Sequence, residues 1–411
     1  MKTKVAFIIS KFPCYDEAFI LREIYALSKE MEIMIFSLRK SKEKIVHDEA
    51  RELRRKTLYV PYFFSLRILA AQAEMFLRSP RRYLGTLARL IIGNLKNPEF
   101  LLKSLAFFPK AVYLAQWIRK KEVNHIHAYW ATYPTSVALV VSEIAQVPFS
   151  FTGHAHDIYL DTTHLREKIM RARFTSTCTT QNRDYLRKVA PGLTPEKIIV
   201  NYHGLRLDQF AVNGKKRNDL FQILSVGTLR FYKGFNFFFL ALKILKDRGL
   251  KFHATVIGGG PLRSDLGRHL QLLGLEEEVT MTGPLKQAEV IPYYQRADLF
   301  VLMAQPEWHW GIPNVCIEAL AAKTPVITTR FGSVEELIQQ GVSGLLVPPK
   351  DPEALAASIE RLYHNESLRK TLAEAGHERV GEHFDLKKNI RELAQRFRHE
   401  IQYQTNIALV A

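Results

Sequence analysis

Cysteine is scarce in this chain, with three in 411 residues. Cys14, Cys178 and Cys316 are odd in number, far apart and each set among apolar neighbours. That argues against a disulfide framework or a cysteine-based zinc site and suits buried thiols in a reducing cytoplasm. Long apolar runs are missing too. No stretch approaches the ~20 apolar residues that span a bilayer. Near the N-terminus, "VAFII" is too short for the apolar core of a signal peptide. No short-period repeat or low-complexity tract interrupts the chain. What is present, 47% hydrophobic and 24% charged residues, describes a folded globular protein. Its length exceeds one ordinary core, so two domains are expected.

Acidic residues are short in one half only. Residues 1–212 hold 33 Lys and Arg against 19 Asp and Glu, whereas the remainder holds 25 against 22. Within the first half, residues 39–121 carry 19 basic and 6 acidic side chains. Most of the +17 net charge therefore sits in one segment, which favours a docking surface over a general solubility device.

Short β-branched and aromatic runs alternate with amphipathic ones almost throughout, the pattern of parallel sheets flanked by helices. "KVAFIIS" (4–10), "EIMIFSL" (32–38), "VNHIHA" (123–128), "VPFSFTG" (147–153), "RFTSTCT" (173–179) and "KIIVNYHG" (197–204) read as strands of a first α/β unit. The polar "AVNGKKRNDL" (211–220) reads as a linker. A second series follows, from "FQILSVGTL" to "SGLLVPP", and the chain ends in helical segments. Residues 1–212 and 213–385 are thus expected as two Rossmann-like domains facing across a cleft. Ligands of open α/β sheets bind at the carboxyl ends of the strands.

Several stretches carry chemistry. In "SVGTLRFYKG" (225–234) a strand runs into a helix, with Arg230 and Lys233 three apart at its mouth. Two cations beside free backbone N–H groups suit a diphosphate, especially without a metal. A solvated basic pair is the plainer reading of such a spacing. "VIGGGPL" (256–262) and "MTGPL" (281–285) repeat the pattern of strand, glycine, then proline at a helix start. Neither has the spacing of a dinucleotide fingerprint, so no nicotinamide cofactor is expected. "EWHWGIPNVCIEAL" (307–320) places Gly311, Ile312, Pro313 and Asn314 before an apolar helix bearing Glu318. Glycine allows close approach of a ligand, and proline opens a helix without wasting a donor.

Taken in order, these motifs closely resemble the C-terminal domain of family-four retaining glycosyltransferases of the GT-B fold. "KFPCYDEAFILREI" (11–24), "HIHAYWA" (125–131) and "FSFTGHAHDIY" (149–159) resemble the N-terminal domain of the colanic-acid and exopolysaccharide type. The resemblance spans nearly the whole chain. It implies that residues 386–411 form a helix returning to the N-terminal domain. It also implies residue roles. Lys233, with Arg230, would stabilise the leaving diphosphate of a nucleotide-sugar donor. Glu318 would hold the ribose hydroxyls, Gly227 and Gly311 to Asn314 would sit against the donor, and Gly283 and Leu285 would lie near the base. His154 would face the sugar, and Phe12, Pro13 and Glu17 would border the acceptor. No cofactor or metal is implied. His125 and His127 share one strand face, but no carboxylate companion is evident. Asp157 reads as a helix cap.

The chain departs from the family pattern twice. Counting eight back from Glu318, where the family has a second glutamate, lands on Trp310. Either Glu307 reaches the sugar through a rebuilt loop, or Trp310 stacks on an apolar sugar face, or the donor lacks the hydroxyl concerned. Thr228 occupies the position of the family's arginine. Arg230, two residues on in an extended segment, would point to the same face and substitute.

The basic tract 62–121 interleaves its cations with Phe, Tyr, Leu and Ile, which suits an amphipathic surface on anionic lipid. The resemblance adds a lipid-linked saccharide acceptor at the cytoplasmic face of the inner membrane. Two alternatives stand beside the transferase: an inactive, glycosyltransferase-like scaffold, and a basic nucleic-acid binder. The second lacks any recognition module, so no nucleic-acid partner is expected.

Overall fold

The computed structural model describes residues 3–14, 17–41, 48–60, 65–160, 162–211, 220–308 and 311–410. Two compact units emerge: Met1–His203 with Lys387–Ala411, and Gly204–Leu386. The segment read as a linker falls mostly on residues 212–219, outside the described residues, as do 62–64 of the basic tract.

The first unit alternates strand and helix: β1 (Lys4–Phe12), α1 (Ala18–Glu30), β2 (Glu32–Lys40), α2 (Asp48–Arg54) and β3 (Thr57–Tyr59). The basic tract supplies α3 (Leu66–Arg78), α4 (Pro80–Asn94) and α5 (Pro98–Lys120). Then come β4 (His125–Tyr129), α6 (Tyr133–Ala145), β5 (Phe149–Gly153), α7 (Ala155–Tyr159), α8 (Leu165–Arg171), β6 (Thr175–Thr177), α9 (Thr180–Val189) and β7 (Ile198–Val200). The sheet is parallel, in the order β3-β2-β1-β4-β5-β6-β7. Every residue of β4 and β5 is buried, as expected where helices cover both faces. Parallel pairing needs these long crossovers, which collect the loops carrying function at the carboxyl edge.

The second unit holds β8 (Phe221–Val226), α10 (Phe235–Asp247), β9 (Phe252–Ile257), α11 (Arg263–Leu273), β10 (Val279–Gly283), α12 (Gln287–Arg296) and β11 (Leu299–Leu302). It continues with α13 (Asn314–Ala321), β12 (Val326–Thr329), β13 (Leu345–Val347), α14 (Pro352–His364) and α15 (Glu366–His383). Its parallel sheet runs β10-β9-β8-β11-β12-β13. In both glycine turns the proline lies ahead of the helix instead of opening it: α11 starts two residues after Pro261, and α12 three after Pro284.

The last helix, α16 (Leu386–Val410), joins the first unit. Its Phe397 is fully buried, with ring contacts to Phe7, His125, His127 and Phe174. Glu400, also buried, is held by Arg173 at 3.0 Å and Arg396 at 2.8 Å. A buried carboxylate is tolerated when it is paired in this way.

Candidate active site

In the second unit the ends of three neighbouring strands are stitched into one rim. The Gly227 N–H donates to the Ile257 carbonyl at 3.0 Å and the Leu229 N–H to Gly259 at 2.9 Å. Gly258 donates to the Gly283 carbonyl at 3.0 Å. At Gly234 (φ +68°) a β-carbon would run into the Met303 carbonyl oxygen. Here the backbone must be bare for the loop after β11 to approach.

That approach fixes Lys233. The Gln305 N–H donates to the Tyr232 carbonyl at 2.8 Å, and its side-chain amide donates to the Phe231 carbonyl at 3.0 Å. They clamp the tight turn Phe231–Lys233. Gly227 lies under the lysine stem: a β-carbon there would stand 3.6 Å from the Lys233 Cδ. Lys233 is half-buried, and among the described residues its ammonium has neither a carboxylate nor a hydrogen-bond acceptor. Burial lowers its pKa to about 8, opposed by the Cys316 thiol beside it. An unneutralised cation in a desolvated place is poised for an anion.

Gly311 and Ile312 lead into Pro313, which caps α13 with φ −70°. The Cys316 N–H bonds back to the Pro313 carbonyl at 3.0 Å. The N–H groups of Asn314 and Val315 have no acceptor among the described residues. This end of the helix therefore offers donors and positive dipole to a phosphate. One turn on, the Glu318 carboxylate accepts from the Gln287 amide at 3.0 Å and the Tyr294 hydroxyl at 3.1 Å. Between them, Cys316 is fully buried, which pushes its thiol up to about 12; Lys233 pulls that value down and Glu318 raises it. Lys233 and Glu318 thus act with opposite sign on the same buried thiol.

Not every expected residue joins them. The Arg230 N–H closes onto the Thr228 carbonyl at 2.8 Å, so the segment turns instead of running extended. Alternation therefore does not carry Arg230 to the Thr228 face. Its side chain lines a hollow of about 410 Å³ with Phe231, Asp265 and His269, and Lys233 is not among the residues lining it. Glu307 is exposed and paired with Lys350 at 2.8 Å, which lowers its pKa. Trp310 lies outside the described residues. Leu285 is half-buried, two residues past Gly283 at the rim.

In the first unit, His154 follows β5 and caps α7. The Asp157 carboxylate accepts the His154 N–H at 2.6 Å and also the Ala131 N–H, while burial pushes it up to about 7. Burial also holds His154 well below the ordinary histidine value. Its ring meets Trp130, Phe19 and His203, with centroids 4.6, 5.1 and 5.2 Å away. Gln287 and Tyr294 escape a motif-based reading, being ordinary residues of an amphipathic helix.

Phe12 is a core residue, 3% exposed, closing β1 with its N–H on the Ser37 hydroxyl at 2.9 Å. Pro13 is buried too, and Glu17 caps α1. Residues 15–16 of the same loop lie outside the described residues. His125 and His127 share the Ser150 hydroxyl, each at 2.7 Å, and His127 also bonds Thr152 at 2.9 Å. These are hydrogen-bonded core histidines. Among the described residues no group of three or more His, Cys, Asp or Glu is placed to hold a metal.

Comparison with known proteins adds sequence and fold relationships. The profile described as "Glycosyl transferases group 1" matches residues 208–379. A putative teichuronic acid biosynthesis glycosyltransferase of Bacillus subtilis, TuaC, is 30% identical over 68% of this chain and 70% of its own length. The amylovoran biosynthesis glycosyltransferase AmsK of Erwinia amylovora is 35% identical over 50% of this chain. That match spans 52% of AmsK, about half the relative's length. Among solved structures, a glycosyltransferase of Rickettsia africae superposes with a TM-score of 0.73 at 17% identity, covering 98% of this chain and 99% of that one. Anabaena Alr3699/HepE, crystallised with UDP, gives 0.71 at 16% identity, covering 97% and 100%. These structural likenesses establish the GT-B fold. With two parallel α/β sheets, the matched profile and a relative aligned over most of its length, the chain belongs to the group 1 glycosyltransferases.

Proposed function

We propose that this protein is a retaining glycosyltransferase that moves a sugar from a nucleoside-diphosphate sugar to a lipid-linked saccharide during cell-surface polysaccharide assembly. The observation that carries the reading is the Lys233 ammonium, desolvated and without an anion among the described residues, with Cys316 beside it on the helix that also carries a positioned Glu318. Lys233 and the first turn of α13 take the diphosphate, and Glu318 takes the ribose. As the anomeric C–O bond breaks, negative charge grows on the leaving β-phosphate, where Lys233 stabilises it. The acceptor oxygen bonds to the anomeric carbon on the same face, and its proton passes to the departing diphosphate. No metal takes part. In the first unit, His154 faces a sugar. A nucleotide donor is supported by the UDP bound in Alr3699/HepE, and a polysaccharide product by the names of TuaC and AmsK.

We place the acceptor at an anionic membrane surface on the cytoplasmic side. Helices α3 to α5 expose Leu66 (84%), Leu77 (79%) and Leu102 (71%) among Arg67, Arg81, Arg82 and Lys96. Apolar side chains laid beside cations bind anionic headgroups from the surface. No helix among the described residues is long and apolar enough to cross a membrane.

The inactive-scaffold reading draws on Thr228 and on Glu307, whose carboxylate is engaged by Lys350. One experiment separates the two. Wild type and Lys233→Ala are screened by thermal shift against UDP-, GDP- and dTDP-sugars, and the hits are assayed for donor hydrolysis. The transferase stabilises on one donor class and turns it over, and the variant loses turnover. A wild type that neither shifts nor hydrolyses any donor is the scaffold.

A further inference from the structure

Cations also gather in the first unit, at the carboxyl ends of β1 and β2, where the donor chemistry does not use them. The register of the two strands sets Lys11 beside Arg39 and Phe12 beside Lys40. The Ser37 hydroxyl pins this edge, accepting the Phe12 N–H at 2.9 Å and donating to the Arg39 carbonyl at 2.7 Å. From α5, Lys110 reaches the same edge and donates to the Leu38 carbonyl at 3.1 Å, with 6% of its surface exposed. A buried ammonium and an arginine thus meet at adjoining residues of one strand end.

Aromatic rings hold them there. Phe107 and Tyr133 stack with centroids 5.1 Å apart and planes 2° from parallel. The Arg39 guanidinium stands 5.7 Å over Phe107 and 5.6 Å over Tyr133, and the Lys110 ammonium 5.6 Å over Phe107. Ring faces attract cations, and a guanidinium laid on them is preorganised for a planar, two-point partner. Tyr133 also opens α6, and the N–H groups of Tyr133 and Thr135 have no acceptor among the described residues, so the positive end of a 13-residue helix adds to the same field. The two cations repel each other: burial lowers the Lys110 pKa, and the Arg39 charge lowers it further. Among the described residues neither Arg39 nor Lys40 has a carboxylate partner. Like charges crowded at one ring attract an anion between them.

The surroundings narrow the kind of anion. Arg39 and Lys40 are exposed, so a ligand reaches them from solvent. The apolar helix surface begins close by: the Gln72 side-chain amide of α3 donates to the Pro109 carbonyl at 3.1 Å, one residue before Lys110. Around Gln72 the same helix exposes Leu69 (51%) and Phe76 (45%). An anionic head on an apolar tail satisfies both surfaces. Phosphate oxygens match the guanidinium fork, which grips them through two parallel hydrogen bonds. We infer that Arg39, with Lys40 and Lys110, binds the phosphate head of a lipid phosphate ester, the carrier to which the saccharide acceptor is attached. The identity of this occupant rests on the proposed transferase reading and deepens it, whereas the anion site stands on the cations and rings alone.

The test is titration calorimetry on the full chain with farnesyl diphosphate, a soluble diphosphate ester of an apolar alcohol, and with inorganic pyrophosphate. All proteins carry Lys233→Ala, which keeps the proposed donor site out of the reading. Lys233→Ala alone should bind farnesyl diphosphate more tightly than pyrophosphate. Adding Arg39→Gln should weaken farnesyl diphosphate by about tenfold or more, and adding Arg39→Lys by less, with all three proteins unfolding at one temperature. Flotation on phosphatidylglycerol vesicles separates the carrier from bilayer headgroups, and Arg39→Gln should leave it unchanged. Three results overturn the proposal: no binding of farnesyl diphosphate by Lys233→Ala, equal binding with and without Arg39→Gln, or pyrophosphate bound as tightly as its farnesyl ester. Flotation lost in step with Arg39→Gln overturns it too, by giving the cation to the bilayer. If no nucleotide sugar binds wild type while the Arg39 dependence holds, the transferase reading falls and the lipid-phosphate site remains. The reverse result removes the site alone.

Discussion

Tyr294 donates its hydroxyl to Glu318 at 3.1 Å from a fully buried position. The carboxylate proposed to hold the ribose is thereby aimed by a residue with no exposed surface of its own. Tyr294→Phe keeps the ring and deletes one hydrogen bond to a charged group, an effect of roughly 1.5–3 kcal/mol when the acceptor is buried. Because Glu318 is only half-buried and keeps Gln287, the lower end applies. Titration calorimetry should show affinity for the cognate nucleoside diphosphate reduced about tenfold, with enthalpy carrying the loss.

Donor binding should depend on pH through Lys233. Its folded value of about 8 lies below the 10.5 of a free lysine, because the buried ammonium is poorly solvated. As pH rises through about 8 the amine discharges and loses its hold on the diphosphate. Binding measured between about pH 7 and about pH 9.5 should weaken progressively, by at most about tenfold per unit. Lys233→Ala should be flat over the same range. Linkage has the opposite sign for the empty fold. The unfolded chain holds the proton that the folded chain gives up, so stability rises with pH from about 8 towards 10.5.

Two glycines should respond oppositely to alanine. At Gly234 the left-handed backbone and the Met303 carbonyl both oppose a β-carbon. Gly234→Ala should lower stability by about 2 kcal/mol or more and disorder the Lys233 turn. At Gly267, inside α11, a β-carbon meets nothing within 4 Å. Gly267→Ala should raise stability by about 0.5–1 kcal/mol. Urea denaturation of both variants checks the signs.

The membrane surface makes its own forecast. Leu66→Glu with Leu77→Glu removes two of the most exposed apolar side chains of α3 and adds like charge against anionic lipid. Co-flotation with phosphatidylglycerol vesicles should fall about tenfold or more, while turnover of a water-soluble acceptor stays unchanged. Retention of the double variant on vesicles would exclude α3 as the contact.

Much of this arrangement was legible in the sequence, because parallel strands are near-continuous apolar runs and their glycine turns stand out between them. Lys233 and Glu318 stand out as candidates because motif order marks them. Arg230 could not be placed, because extended alternation fails once its N–H turns back onto Thr228. Nor could the exposed pairing of Glu307, which depends on Lys350, 43 residues away in sequence.

Cys316 has one more consequence. A sulfur placed beside a lysine would ordinarily be the first atom an electrophile or peroxide finds, since a neighbouring cation breeds thiolate. Here enclosure outweighs the cation and holds the thiol in its inert, protonated form. The proposed nucleotide site should therefore tolerate oxidants and alkylating reagents, with maleimide consumed at the partly exposed Cys14 and Cys178 instead. Those two positions become handles for dyes or spin labels that leave donor recognition undisturbed.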